Sequence, residues 1–293
     1  MSPYAELVRR QSRPLAPLPT GVTPRLVPMP NIRAVLFDVY GTLVVSASGD
    51  VGTATGSDPP TALAEAFDEL GLALACDPAE GVARLHETIT SHQAAARERG
   101  VEYPEVDIVR VWQDVYLTIA AGEDDAPAAH VDFRRLAVEY EVRANPVWPM
   151  PHAAECLAAL RVGERRLGIV SNAQFFTPEL FPALLGGSLA ELGFDPECQY
   201  YSYQHGEAKP GTHLYRLAAD RLAARGIAAA DVLYIGNDRR NDVWPAAAVG
   251  FRTALFAGDA RSLRLRQDDP QLADVLPDAI VTDLGQVSEL VSK

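Results

Sequence analysis

Five short apolar runs recur along the chain: Arg33–Phe37 (RAVLF), Leu167–Val170 (LGIV), Val232–Ile235 (VLYI), Thr253–Phe256 (TALF) and Ala279–Thr282 (AIVT). None alternates polar with apolar residues. Runs of this kind are strands covered on both faces, and both faces are covered when helices cross over between parallel strands. Helical patterns at Ala153–Arg161, Gly211–Arg225 and Asp242–Val249 supply those crossovers. The chain therefore reads as α/β, a doubly wound, mostly parallel, Rossmann-like sheet. Ligands of such sheets bind beyond the carboxyl ends of the strands. Asp38, Ser171, and Asn237 with Asp238 fall at that edge.

Residues 47–146 interrupt the alternation. Thr61–Leu74, Ala79–Gly100, Glu105–Ala121 and Phe133–Glu141 read as helices with no buried strand among them. We expect a helical cap over 47–146, inserted into a core made of residues 31–46 plus 147–293. Ser46–Pro60, rich in Gly, Ser and Pro, suits a hinge, and Asn145–Pro151 suits the return. Two linkers tethering an insertion above a site are what a lid needs. Residues 1–30 are rich in proline and arginine and carry one acid, Glu6. They read as an extended N-terminal arm.

The balance of 39 acidic against 26 basic residues gives a net charge of −13. That repels phosphate backbones, so nucleic acid is not an expected partner. No apolar run reaches the ~18 residues of a membrane span, which argues against a membrane partner. Cys76, Cys156 and Cys198 are widely spaced, and a cytoplasmic location is the default for a chain without a disulfide framework. Monomer and homodimer both remain open.

Four short motifs carry the chemistry. Asp38-Val39-Tyr40-Gly41-Thr42 ends the first run with a carboxylate and a glycine turn whose amides can approach an anion. Ser171-Asn172 ends the second run with a hydroxyl and an amide. Lys209-Pro210 places an ammonium just before a helix, in a chain otherwise rich in arginine. Such an ammonium can neutralise a nucleophilic carboxylate and an incoming anion together. Gly236-Asn237-Asp238-Arg239-Arg240-Asn241-Asp242 gives two carboxylates four residues apart. Hard oxygen donors of this type suit Mg²⁺, and either acid could instead cap the following helix.

In this order the four motifs resemble those of the haloacid dehalogenase (HAD) superfamily, over residues 31 to about 260, and the insertion looks like that superfamily's C1-type helical cap. The resemblance implies that Asp38 is a nucleophile forming a covalent intermediate that water then hydrolyses. Ser171 would hold the transferring group and Lys209 would neutralise charge. Gly41, Thr42 and Asn172 would contact a small anionic substrate. In phosphatase members, Mg²⁺ is bound by the nucleophile, by the backbone carbonyl two residues on (here Tyr40) and by the last motif's acid. That makes Asp38, Tyr40, Asp238 and Asp242 the expected metal set, with Asp238 preferred over Asn237.

One position departs from the phosphatase pattern. The residue two after the nucleophile is usually a second Asp that works as acid and base; here it is Tyr40, as in the 2-haloacid dehalogenases. A phenol with a reference pKa near ~10 is a poor base at neutral pH. Asn172 and Tyr215 also match the dehalogenase pattern, whereas the acids after Gly236 call for a cation. The preferred reading is a Mg-dependent phosphatase acting on a small phosphate ester. The alternatives are a metal-free 2-haloacid dehalogenase and a weakly catalytic binding protein.

Other features rank lower. His205, just upstream of Lys209, is a candidate stand-in for the missing acid–base group, though a turn residue is the simpler reading. Residues 101–107 form a turn and a helix start that could face the site. Trp112 and Tyr116, one turn apart, read as cap core. Arg261, Arg264 and Arg266 read as solvated partners of Asp268 and Asp269. Arg97, Arg99 and Arg110 could touch a substrate.

Overall fold

A computed structural model describes residues 1–47, 58–121 and 130–292 of the 293-residue chain. Its strands are β1 (Ala34–Phe37), β2 (Val44–Ser46), β3 (Val147–Pro149), β4 (Arg166–Ser171), β5 (Phe194–Tyr201), β6 (Val232–Gly236), β7 (Arg252–Phe256) and β8 (Ala279–Val281). The helices are α1 (Pro3–Gln11), α2 (Pro59–Glu69), α3 (Pro78–Glu98), α4 (Ile108–Ile119), α5 (Phe133–Ala144), α6 (Ala153–Val162), α7 (Leu180–Leu184), α8 (Ser202–His205), α9 (His213–Ala223), α10 (Trp244–Ala248) and α11 (Val287–Leu290).

Six strands form one parallel sheet in the order β5-β4-β1-β6-β7-β8. β1 shows why continuous apolar runs suit its middle. Val35 and Phe37 join the core on one face, and Ala34 and Leu36 join the core on the other. The order also fixes the site. From β1 the chain turns outward to β4 and β5, then returns to add β6 on the other side. The carboxyl end of β1 is thus the switch point where a crevice opens. Phe37 pairs in register with Ile169 and with Ile235, so the residues that follow these three strands emerge side by side.

Between β2 and β3 the described residues contribute α2 to α5. Asp58, Asp77, Asp107 and Asp132 cap the N-termini of these four helices with side-chain oxygens. Trp112 and Tyr116 are buried among the cap helices. β2 and β3 pair antiparallel at the base of the insertion, so the return expected at Asn145–Pro151 contains a strand. Of the hinge expected at Ser46–Pro60, residues 48–57 lie outside the described residues.

Two elements differ from the sequence reading. β5 was not expected because its run, FDPECQYY, is polar and contains Pro196. It sits at the sheet edge, where a residue without an N–H is tolerated, and its register slips beside Leu167 and Ile169. The arm expected to be extended begins as helix α1. Ser2 caps it, Pro3 starts it, and Ala5, Leu7 and Val8 are buried. It packs against cap helix α5 and core helix α7 together. Tyr4 meets Phe175 edge-on, and Arg10 pairs with Glu69 on α2. Beyond α1 the arm does run extended over the core: Leu18 N–H donates to Asp259, and Arg25 exchanges backbone bonds with Ile280.

This packing predicts that Leu7→Ala lowers the unfolding free energy by about 2–5 kcal/mol, the usual cost of emptying a buried leucine site. Urea denaturation of the full chain measures it.

Candidate active site

Asp38 follows β1, Ser171 ends β4, Lys209 lies in the loop after α8, and Asp238 and Asp242 follow β6. Folding brings these distant residues together. Asp38 Oδ1 accepts a hydrogen bond from Ser171 Oγ at 2.7 Å and lies 2.8 Å from Lys209 Nζ. Lys209 Nζ also donates to Asp242 Oδ1 at 2.6 Å and to the Tyr234 hydroxyl at 3.3 Å. Asp38 Oδ2 accepts from no described residue, and Asp38 lines a cavity of about 410 Å³. The ammonium therefore sits between two carboxylates, one of which keeps a free oxygen.

Two further residues hold the lysine in place. Asn172 clamps its backbone, accepting from Lys209 N–H at 2.7 Å and donating to its carbonyl at 3.2 Å. The Tyr234 hydroxyl donates to the Val170 carbonyl at 2.7 Å. The last motif closes on itself, with Asp238 N–H donating to Asp242 Oδ2 at 2.9 Å. Asp238 then caps a π-helical turn, Arg239–Val243, accepting from the amides of Arg240 and Asn241. Turns of this type are frequent at functional sites.

Burial governs the charge states. It opposes the Lys209 ammonium, but Asp242 and Asp38 outweigh it, so the lysine pKa stands above its ordinary value. Burial pushes the Asp242 carboxyl up to about 6 against the pull of Lys209, with Asp38 and Asp238 adding to the rise. Tyr40's phenol is raised far above its normal range, first by burial and then by the charge of Glu141. It shares a 3.0 Å hydrogen bond with Thr177. A phenol so placed neither gives nor takes a proton near neutral pH.

Several expected contacts fall elsewhere. Gly41 and Thr42 do not line the cavity. Gly41 adopts φ +77°, and a Cβ there would strike Ser262 and Asn237; Thr42 donates to Asn237 Oδ1 at 3.1 Å. Both shape the turn behind Asp38 instead of meeting a ligand. Asn172 does line the cavity, although its amide is spent on Lys209. His205 is exposed, meets His213 edge-on and is absent from the cavity wall. Arg97, Arg99 and Arg110 are likewise not part of that wall.

One contributor, Glu141, was not singled out in the sequence, and two were ranked low: Glu105 in the 101–107 turn and Arg264 in the basic cluster. Glu105, Glu141 and Arg264 all line the cavity. Glu105 lies in the 101–107 turn, which is stitched to the core. Its N–H donates to the Gly206 carbonyl, and Ala208 N–H donates to the Tyr103 carbonyl beside Lys209. The basic cluster is also differently paired: Arg266 binds Asp238 at 2.7 Å and Arg240 pairs with Asp269. A basic residue soon after the last motif was the available signal.

Magnesium can be tested against these donors. Asp38, Tyr40 and Asp238 line one cavity. Mg²⁺ takes one or two carboxylates and completes its shell with water and substrate oxygens, so hard donors in this number suit it. Asp242 lines the same cavity, with Lys209 and Tyr234 on its Oδ1 and the Asp238 amide on its Oδ2. Asn237 is spent on Thr42 and on the Ser262 carbonyl. Among the described residues, no three acidic, histidine or cysteine side chains form a metal-holding group by themselves.

With fold and site geometry established, the comparisons give the class. The chain belongs to the haloacid dehalogenase-like hydrolases, whose sequence model matches residues 32–250. It is 31% identical to the phosphoglycolate phosphatase of Escherichia coli (strain K12) over 229 residues, 75% of this chain and 79% of that protein. Two solved structures share the fold. One is a 2-haloacid dehalogenase from Pseudomonas syringae pv. Tomato DC3000, at 20% identity and TM-score 0.58; the other is a HAD phosphatase from Thermococcus onnurineus, at 17% and 0.53. Each match covers 89% of this chain and 98% of the other. The chain is thus a hydrolase of this family with a Rossmann-like core, and its relatives by sequence lean to phosphatase. No helix among the described residues is long and apolar enough to cross a membrane.

The raised Asp242 pKa carries a sign. A carboxyl whose folded pKa exceeds its unfolded value contributes stability at low pH and loses it as pH rises through about 6. Asp242→Asn is therefore expected to flatten the fall in unfolding free energy between about pH 4 and pH 6, measured by urea denaturation at both.

Proposed function

We propose that this protein hydrolyses a small phosphate monoester, with Asp38 as nucleophile. The observation that carries the reading is the free Oδ2 of Asp38, on a carboxylate whose other oxygen is fixed by Ser171 and Lys209. A carboxylate attacks a phosphate only when their repulsion is cancelled, and Lys209 supplies fixed positive charge where it is needed. Asp38 Oδ2 bonds to phosphorus as the P–O ester bond breaks, the departing alkoxide takes a proton from water, and a second water then cleaves the aspartyl phosphate to phosphate and the free Asp38 carboxylate. Ser171 orients the nucleophile. Asn172, Tyr234 and Asp242 keep the ammonium in line.

Asp38, the Tyr40 backbone carbonyl and Asp238 would hold Mg²⁺, which when bound neutralises phosphate charge. Charge supports this assignment: Asp38, Asp238 and Asp242 face only Lys209 and Arg266 in their direct ion pairs. Since Arg266 already holds Asp238, Arg266→Ala is expected to tighten Mg²⁺ binding by about fivefold, the worth of a partly exposed ion pair. Calorimetric titration with Mg²⁺ alone reads this without turnover.

Tyr40 favours a second reading, 2-haloacid dehalogenation by the same nucleophile. A halide leaves without a proton, so an inert phenol beside Asp38 is no handicap there. The deciding experiment assays wild type and Asp38→Asn against a phosphate-ester panel and 2-haloacids, with and without chelator. Phosphate release that falls by about 10³-fold or more in Asp38→Asn supports the phosphatase. Halide release that survives chelation, with no phosphate released, replaces it with the dehalogenase. A biological effect undiminished in Asp38→Asn would leave a binding protein.

A further inference from the structure

Two half-buried glutamates line the cap side of the cavity, and they differ in one respect. Glu105 is saturated by the protein. Its Oε2 accepts from Ser202 at 2.6 Å, and its Oε1 accepts from Val106 N–H at 2.8 Å and from Gln174 at 3.4 Å. Glu141, on α5, has one recorded bond, from Asn145 Nδ2 to Oε1 at 3.0 Å. Its Oε2 accepts from no described residue.

The neighbouring acid on the same helix makes the contrast sharper. Glu139 faces away from the cavity and is surrounded by Arg10, Arg135 and Arg143. Glu141, two residues on, has no cationic partner; burial raises its carboxyl and only Asn145 opposes that rise. An acid in such a place costs stability unless something supplies the missing donor. No described residue does so, and Glu141 lines the same cavity as Asp38, where a substrate's organic part must sit once its phosphate meets Asp38.

We infer that Glu141 is a specificity residue that accepts a hydrogen bond from the substrate's organic part, selecting phosphate esters that carry a hydroxyl or ammonium group and rejecting those that carry a carboxylate. The inference rests on the phosphatase reading and goes beyond it by naming the substrate class. A carboxylate brought against Glu141 meets like charge, which disfavours it. An ammonium or hydroxyl there completes an unfinished hydrogen bond. Two-carbon 2-phosphoglycolate is thus the wrong shape of charge for this cavity, although a sequence relative is named for it.

The test compares kcat/KM for three two-carbon esters: 2-aminoethyl phosphate, 2-hydroxyethyl phosphate and 2-phosphoglycolate. Wild type is expected to favour one or both donor-bearing esters over 2-phosphoglycolate by about tenfold or more, and Glu141→Gln to shrink that ratio to within about threefold. The aminoethyl and hydroxyethyl arms separate a charge requirement from a hydrogen-bond requirement. Glu141→Asp, which keeps the charge, should retain the direction of preference; this covers the case in which Glu141→Gln folds poorly. A wild type that prefers 2-phosphoglycolate overturns the inference, as does a preference that Glu141→Gln leaves intact. Hydrolysis of other phosphate esters with this outcome leaves the phosphatase reading standing. Release of halide with no phosphate from any ester removes that reading, and this inference with it.

Discussion

A single buried ammonium organises the centre of this molecule. Lys209 lies between Asp38 and Asp242, 2.8 Å from one carboxylate and 2.6 Å from the other. Its charge offsets the burial that pushes the Asp242 carboxyl up. The three groups arrive on different loops, so the ion triad is also a tie between β1, β6 and the segment after α8. Asn172 and Tyr234 fix the lysine from two further directions. Removing Lys209 leaves two carboxylates facing each other with no cation between them. The same arrangement that holds the strand ends together leaves one oxygen of Asp38 open to a ligand.

Much of this was legible in the sequence, for physical reasons. β1, β4, β6, β7 and β8 are short and apolar throughout because they are covered on both faces. Their ends are the only places where polar residues can meet. Asp38, Ser171, Asn237 and Asp238 could therefore be read as neighbours from position, and Lys209 and Asp242 joined them through the order of the four motifs. β5 escaped notice because an edge strand tolerates polar residues and proline. Helix α1 escaped because arginine and proline mask the Ala5–Leu7–Val8 face that it buries. Gly41 and Thr42 were expected to meet a ligand, yet the turn that presents Asp38 aims them at Ser262 and Asn237. Glu141 was not singled out, and Glu105 and Arg264 were ranked low, for another reason. They come from the cap and from a late loop, and only tertiary packing decides which face of a helix or turn borders the cavity.

The cap's relation to the core is polar as well as apolar. Gln174, three residues after Ser171, donates to the Val106 carbonyl at 2.9 Å and accepts from Ile108 N–H at 3.2 Å. It thereby caps α4 from the core. Glu105 reaches the other way, from cap to Ser202. The turn at 101–107 is held against the loop that presents Lys209, so cap position and lysine position are not independent. A substrate that shifts the cap also pulls on the charged centre.

Helix α1 adds a constraint of a different kind. It rests on α5 of the cap and α7 of the core at once, with Leu7 and Val8 buried beneath it. A cap hinged at β2 and β3 therefore cannot swing away freely on the side of α1. Separation there must strip apolar surface from this brace or carry the brace along with one body. Admission of ligand to the cavity thus draws on the anchoring of the first dozen residues, far from Asp38 in the fold. The rate at which the enclosure opens becomes a property of the amino-terminal segment as much as of the linkers.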